Sequence, residues 1–323
     1  MHVRVLELHP GSGDQPLSGT LRSISLESLV ECEALSYVWG TPSGGEIDLG
    51  SGQCLSIGFN LKEALHYIRH PQRPRMLWID AICINQDDIH EKSHQVQLMA
   101  EIYSRCESVL VWLGTATPHS HLGLEILSYL ANSDRRFDNG SAPWERVPDI
   151  TVGAALRDIL ERPYFQRLWV VQEAALARRV TMQLGHTCIE WSSGTPTRKF
   201  LARIKLAELS PSWEQSGQLR NAIDFQPMRE LLEQSLATDA KRRGVLEVPS
   251  LLDVVHSIRH RKVVDPRDRI YGVMSLAVPG EIANLVPDYT LSWEETYRRF
   301  YDLVHSRVLQ DPEASFEDIR RGF

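Results

Sequence analysis

The chain has 323 residues, a formal charge of −7, 42% hydrophobic residues and 24% charged residues. That is the composition of a globular protein, long enough for about two domains. The negative balance gives no general pull toward nucleic acid or an anionic membrane, and no apolar run approaches the length of a membrane-spanning helix.

The N-terminus, MHVRVLELHPGSG, lacks the apolar core of a signal peptide. Residues Val3 to Leu8 alternate and include β-branched side chains, which predicts a strand. Leu21 to Leu26 can pair with it. Ala34 to Trp39 reads as a strand closed by a Gly-Thr-Pro-Ser-Gly turn, and Ile47–Leu49 with Cys54–Ile57 as a small hairpin. Leu61, Ala64, Leu65 and Ile68 share one helical face, with Asn60 as its expected cap and Pro71 beyond its end. Met76 to Ile79 and Ser108 to Leu113 are short continuous apolar runs, as in buried parallel strands. Between them, Asp87 or Asp88 opens a long helix that runs to Arg105. Leu122–Ala131, Ala154–Leu160 and Leu168–Leu176 are expected helices, and 134–150 a loop. Arg179–Leu184 and Cys188–Trp191 are expected strands around Gly185. Beyond residue 192 the pattern is helical, over about 197–208, 219–236, 250–260, 268–277 and 293–308, with loops at 210–218 and 238–249. The sequence therefore predicts an α/β unit over 1–192, built on a parallel sheet flanked by helices with small β additions. A mostly helical extension over 193–323 packs on it.

Three apolar strands end in groups capable of chemistry. They close on Gly40, Asp80 and Gly114, and in open α/β sheets ligands bind beyond the carboxyl ends of the strands. Glycine there permits close backbone approach. Asp80 either touches a ligand or caps its own turn. Asn85 and Gln86 either satisfy the following loop and helix or reach a ligand. Trp169 and Glu173 stand four apart, so on a helix they share a face, a pairing suited to gripping a nucleotide sugar. Glu173 could equally pair with Arg167 or Arg267, and Trp169 could be core. Asp265, Arg267 and Asp268 are expected to tie the extension to the core. His90, Glu91 and His94 satisfy HExxH, but DDIHEKSHQ is polar throughout and has no third ligand, so no metal site is expected. The cysteines Cys32, Cys54, Cys83, Cys106 and Cys188 are odd in number and form no CxxC pair, which fits reduced thiols in a cytoplasmic protein.

The segments CEALSYVWG (32–40), LWIDAICINQDD (77–88), QVQLMAEIYSRCESVLVWLG (95–114) and RPYFQRLWVVQEAALA (162–177) occur in this order. Together they resemble the fungal heterokaryon incompatibility (HET) domain, and DPRDRIYGVMSLA (265–277) resembles a segment that often follows it. Two positions depart from the family pattern: Lys92 stands where arginine is common and Tyr164 where tryptophan is common. The resemblance implies a part in non-self recognition and programmed cell death in filamentous fungi. HET domains are in turn distantly similar to Toll/interleukin-1 receptor (TIR) domains, which are flavodoxin-like. Several of those cleave NAD at the nicotinamide–ribose bond with a glutamate on a short helix.

Carried onto this chain, that glutamate falls on Glu173. Ser36 and Tyr37 then lie at the first strand's loop, Trp39 or Trp169 would stack on a ring, and Arg167 or Arg162 would meet phosphate oxygens. NAD enters as substrate, and no cofactor is implied. Three readings stay open: an NAD glycohydrolase; a non-catalytic signalling module that self-associates or binds a regulatory protein; and a domain repurposed for small-molecule metabolism.

Overall fold

The computed structural model describes residues 1–41, 44–131, 142–209, 223–244, 250–277 and 285–310, with Trp213, Ser216 and Leu219 between them. Its centre is a seven-stranded sheet in the order β2-β1-β6-β3-β7-β8-β9. The strands are β1 (His2–Leu8), β2 (Gly19–Ser25), β3 (Glu33–Ser36), β6 (Arg75–Trp78), β7 (Ser108–Trp112), β8 (Arg179–Leu184) and β9 (Thr187–Ser192). A separate hairpin pairs β4 (Gly45–Asp48) with β5 (Cys54–Ile57). β6, β3, β7 and β8 are parallel neighbours. Taken in chain order those four lie 2-1-3-4, the order in which flavodoxin-like doubly wound sheets begin. The expected parallel sheet is thus its core. Both margins are antiparallel, with β1 and β2 at one side and β9 at the other.

Side-chain alternation along the strands explains the layers. Leu35, Leu77, Leu110 and Trp112 face helix α1 (Phe59–Ile68), whose Leu61, Ala64, Leu65 and Ile68 are buried against them. Ala34, Trp78, Val109 and Val111 face the other way, toward Leu98, Met99, Ile102 and Tyr103 of α3 (Ile89–Arg105). Period 2 in the strands and period 3.6 in the helices thus fill two layers. Each buried Leu or Ile contributes about 2 kcal/mol. Between β6 and α3 lies the single turn α2 (Asp80–Cys83). Asp88 caps α3, accepting from the backbone N–H groups of His90 and Glu91 at 3.0 Å.

Asn60 does not cap α1; Gly58 holds that position. Asn60 instead donates to the Val38 carbonyl at 2.6 Å and accepts from Trp112 Nε1 at 3.0 Å. It thereby ties the segment leaving β3 to the end of β7. β3 is also shorter than its apolar pattern, because Tyr37 to Trp39 leave the ladder once the sheet edge is passed.

After β7 come α4 (Ser120–Ala131), α5 (Asp149–Leu160) and α6 (Val170–Ala175). Gly123 lets α4 and α5 touch, since a Cβ there would stand 2.3 Å from the Ala155 carbonyl oxygen. Of the loop expected at 134–150, residues 132–141 lie outside the described residues. The rest holds a 3-10 turn at Pro143–Arg146 and the start of α5. The later helices are α7 (Thr195–Glu208), α8 (Gln226–Arg242), α9 (Leu251–Ser257), α10 (Asp268–Tyr271) and α11 (Trp293–Gln310). Of the helix expected over 219–236, residues 220–222 lie outside the described residues, Leu219 is helical and 223–225 are not; α8 starts where Gln226-Pro227 opens it and runs on to Arg242, with no breaker before Gly244. The helix expected over 268–277 breaks at Gly272 into α10 and a 3-10 turn.

One hydrophobic cluster runs from the sheet through α6 into α8. Arg261, 1% exposed, sits at this junction. Its guanidinium donates to Glu230 at 2.8 Å, to the Phe165 carbonyl at 2.8 Å and to the Pro227 carbonyl at 3.2 Å. Arg261→Met would take those donors away and leave Glu230 with Gln226 at 2.8 Å and His260 at 3.3 Å. We expect a loss of about 3 kcal/mol in urea unfolding; a loss below about 1 kcal/mol would show that apolar packing alone holds the junction.

Candidate functional site

β3 delivers Ser36 and Tyr37 to the carboxyl edge of the sheet, where the strand order reverses between β3 and β7. That reversal is the usual ligand crevice of a doubly wound sheet. Ser36 is fully buried and donates to Oε2 of Glu173. Its oxygen lies 2.9 Å from the Tyr164 hydroxyl. With the serine proton directed at the carboxylate, the tyrosine must donate to Ser36. The result is a relay from Tyr164 through Ser36 to Glu173, all three buried.

Glu173 lies on α6, four residues after Trp169, and its N–H reaches the Trp169 carbonyl at 3.3 Å. The helical spacing read from sequence is present, but the two side chains part company. Trp169 turns to the C-terminal helices: its Nε1 donates to Asp268 at 2.9 Å. Asp268 also accepts from Tyr289 at 2.6 Å. Glu173 is 3% exposed, so it does not open onto the crevice as the sequence argument expects. The reason is the cap formed by Ser36 and Tyr164 together with the packing of α6 beneath the helical extension. Clefts of about 340 to 450 Å³ among the described residues are lined by other side chains.

A second carboxylate stands nearby. Asp80 accepts from Trp39 Nε1 at 2.8 Å and from its neighbour's N–H at 2.7 Å. Arg167 donates to the Tyr37 carbonyl and lies close enough to both carboxylates to draw their pKa values down. Burial nevertheless dominates. It raises Asp80 above the ordinary aspartate range and pushes Glu173 up to about 7, with Arg167 and Ser36 opposing and the Asp80 charge adding to the rise. Tyr37, Tyr103 and Tyr164 are all raised by burial and by these carboxylates, so they stay protonated donors.

Ser36, Tyr37, Trp39, Asp80, Arg167 and Glu173 therefore gather at one sheet edge. Trp39, 42% exposed, forms its outer rim. Gly40 takes a left-handed φ of +72° immediately beyond. Gln86 belongs to the same loop and donates to the Asp80 carbonyl at 2.9 Å. Asn85 is apart and exposed; its side chain accepts from Asp87 N–H at 3.2 Å and its carbonyl from Asp88 N–H at 3.3 Å. Arg162 is spent on the carbonyls of Leu113 and Thr115, at 2.9 and 3.0 Å. Tyr103 and Tyr164 escaped the sequence reading as site residues. The signal was available, since a tyrosine inside an apolar stripe needs a partner for its hydroxyl. Tyr103 uses the Leu35 carbonyl, 3.4 Å away.

The HExxH residues have other work. Glu91 pairs with Arg4 and accepts from Asn85 N–H at 2.8 Å, while His90 and His94 are exposed. Among the described residues no three His, Cys, Asp or Glu side chains converge as a metal site. Burial pushes the Cys83 thiol up to about 12, which denies it nucleophilic character. No helix among the described residues is long and apolar enough to cross a membrane.

The folded state holds the Glu173 proton more tightly than the unfolded chain, whose ordinary value is 4.5. Its contribution to stability is therefore full below about pH 4.5 and is lost as the pH rises toward 7, at most about 3 kcal/mol. In Glu173→Gln this component should vanish, flattening the fall in Tm between those pH values. An unchanged slope would place the titration elsewhere.

The family profile described as "Heterokaryon incompatibility protein (HET)" matches residues 32–173, a span that contains every residue of the cluster. The chain is 27% identical to "Heterokaryon incompatibility protein 6, OR allele" of Neurospora crassa over 343 aligned residues. That alignment takes in 90% of this chain and 49% of the relative, so the chain spans about half the length of the curated relative it matches. No solved structure matches it. Residues 32–173 thus match the heterokaryon incompatibility (HET) family, and the chain is similar along most of its length to a fungal member of it.

Proposed function

We propose that this chain is a recognition module of fungal non-self recognition, held in a closed state by the Tyr164–Ser36–Glu173 relay. One observation carries the reading. The carboxyl of Glu173, its pKa raised by burial, is sealed inside the fold and hydrogen-bonded, not presented to a ligand. In this conformation Glu173 is a packing and hydrogen-bonding group that keeps α6 on the sheet. A change that frees α6 would alter the surface available to a partner or to a second copy, and such changes are the usual substance of switching modules.

The finer reading is cleavage of the nicotinamide–ribose bond of NAD. It is favoured by the placement of Glu173, Asp80 and Arg167 at the strand-order reversal, under the partly exposed ring of Trp39. In that chemistry the ribose becomes an oxocarbenium ion as nicotinamide leaves. A carboxylate beside it stabilises the transition state more than the neutral ground state. The logic is that of glycoside hydrolysis, except that nicotinamide departs as a neutral base and needs no strong acid. Glu173 could act so only after leaving Ser36 and Tyr164 and losing its proton.

The purified chain, at low and high concentration, should be incubated with NAD and nicotinamide release followed beside Glu173→Gln. The closed-module reading expects no release at either concentration, with concentration-dependent assembly or partner binding as its activity. Turnover that falls about 100-fold or more in Glu173→Gln would replace it with the hydrolase reading. Turnover equal in both proteins would detach any NAD chemistry from this carboxylate.

A further inference from the structure

A surface cleft of about 450 Å³ lies on the α1 side of the sheet, away from Glu173, and neither reading above uses it. Its floor is one face of α1, where Lys62, Glu63, His66 and Tyr67 follow at spacings of three and four. Its walls are the loop at Gly13–Asp14 and His186 in the turn between β8 and β9.

The polar groups here are uncommitted. The side chains of Asp14, Lys62 and Glu63 make no hydrogen bond or ion pair with any described residue, although Lys62 and Glu63 are half-buried. Elsewhere on this surface even well exposed opposite charges pair, as in Arg105–Glu101 and Arg179–Glu107. His66 spends only Nδ1, donated to the Gly13 carbonyl at 3.0 Å, and keeps Nε2 free. Tyr67 packs its ring on Trp112 and His186, with centroids 5.1 and 4.6 Å away, and its hydroxyl is unpartnered. Those ring contacts leave recognition to the polar groups and not to stacking.

The cleft is also held in shape from behind. Arg69, 7% exposed, donates to the carbonyls of Pro16, Gly13 and Gln15 at 3.0, 3.0 and 3.1 Å. Its Nε is buried without a partner, a costly arrangement whose result is a fixed wall opposite α1. A Cβ on Gly11 would stand 2.7 Å from the same guanidinium.

We infer that this cleft binds a small zwitterion of the amino-acid class, its anionic group held by Lys62 and its ammonium group by Asp14 and Glu63. A cleft carrying both signs, preformed and unpaired, repels no part of such a ligand. A simple anion would face two carboxylates, and a simple cation would face Lys62. Metal binding does not compete, because among the described residues no three His, Cys, Asp or Glu side chains come together as a metal's ligands.

The purified chain should be titrated calorimetrically with each of the twenty L-amino acids. The tightest binder is then compared with its deamino acid and its decarboxylated amine. The zwitterion should bind about tenfold or more tightly than either fragment. Lys62→Met and Glu63→Gln should each weaken it about tenfold or more, with Tm unchanged. No binding by any of the twenty, or a deamino acid that binds equally well, overturns the inference. Glu173→Gln should bind the zwitterion as the parent does, so this result stands or falls separately from the reading of the sheet edge.

Discussion

The buried carboxyl of Glu173, hydrogen-bonded to Ser36, is the constraint from which the arrangement of the sheet edge follows. A carboxyl out of contact with water must be neutral or fully partnered. Here it has one donor and one nearby guanidinium, and the guanidinium is shared with Asp80. One positive charge cannot fully compensate two desolvated carboxylates. The outcome is a pKa of about 7 for Glu173 and a raised pKa for Asp80. Tyr164 completes the arrangement: with the one proton of Ser36 directed at Glu173, its lone pairs are left to accept from the tyrosine hydroxyl. Tryptophan, common at position 164 in the family, carries its single donor on an indole ring and would have to satisfy Ser36 by a different geometry.

The C-terminal helices hold this edge closed through polar contacts laid over an apolar seam. Gln166 and Leu168 exchange backbone hydrogen bonds with Lys262, at 2.6 and 3.0 Å. Arg261 donates to the Phe165 carbonyl, Ser275 to Gln172 at 2.8 Å, and Trp169 to Asp268. Lys92, the second departure from the family pattern, stands 4.7 Å from the ring centroid of Tyr289, whose hydroxyl binds Asp268. A lysine there keeps the cation–π contact that an arginine would make. The segment 162–176 is therefore gripped along its length, and Glu173 cannot move without disturbing the helical extension.

Much of this was legible in the residues and some of it was not, for physical reasons. The continuous apolar runs at Met76–Ile79 and Ser108–Leu113 mark strands that are buried on both faces, and the parallel core follows from them. The face of α1 was read residue for residue, since four apolar side chains at spacings of three and four admit no other arrangement. Asn60 misled because a capping residue and a long-range hydrogen-bonding residue look alike in sequence; only the approach of Trp112 distinguishes them. At the margins the pairing of the first two strands and of the two around Gly185 was legible, but the antiparallel docking of β1 on β6 was not, because pattern shows burial and not strand direction. For Trp169 and Glu173, spacing correctly placed both on one helix. Which body each faces depends on Asp268, 99 positions after Trp169, and no local rule reaches that far.

The acidity of Glu173 links conformation to protons. Closed, the carboxyl is about half protonated at neutral pH; returned to water, it would ionise at the ordinary value for glutamate. Opening therefore releases part of a proton near pH 7, and a rise in pH favours the open form by the same linkage. The ionised state that ribose chemistry requires is thus the state that the closed fold disfavours. Desolvation both seals the carboxylate and holds its proton, so a ligand or partner that opened the edge would expose and charge Glu173 in a single step.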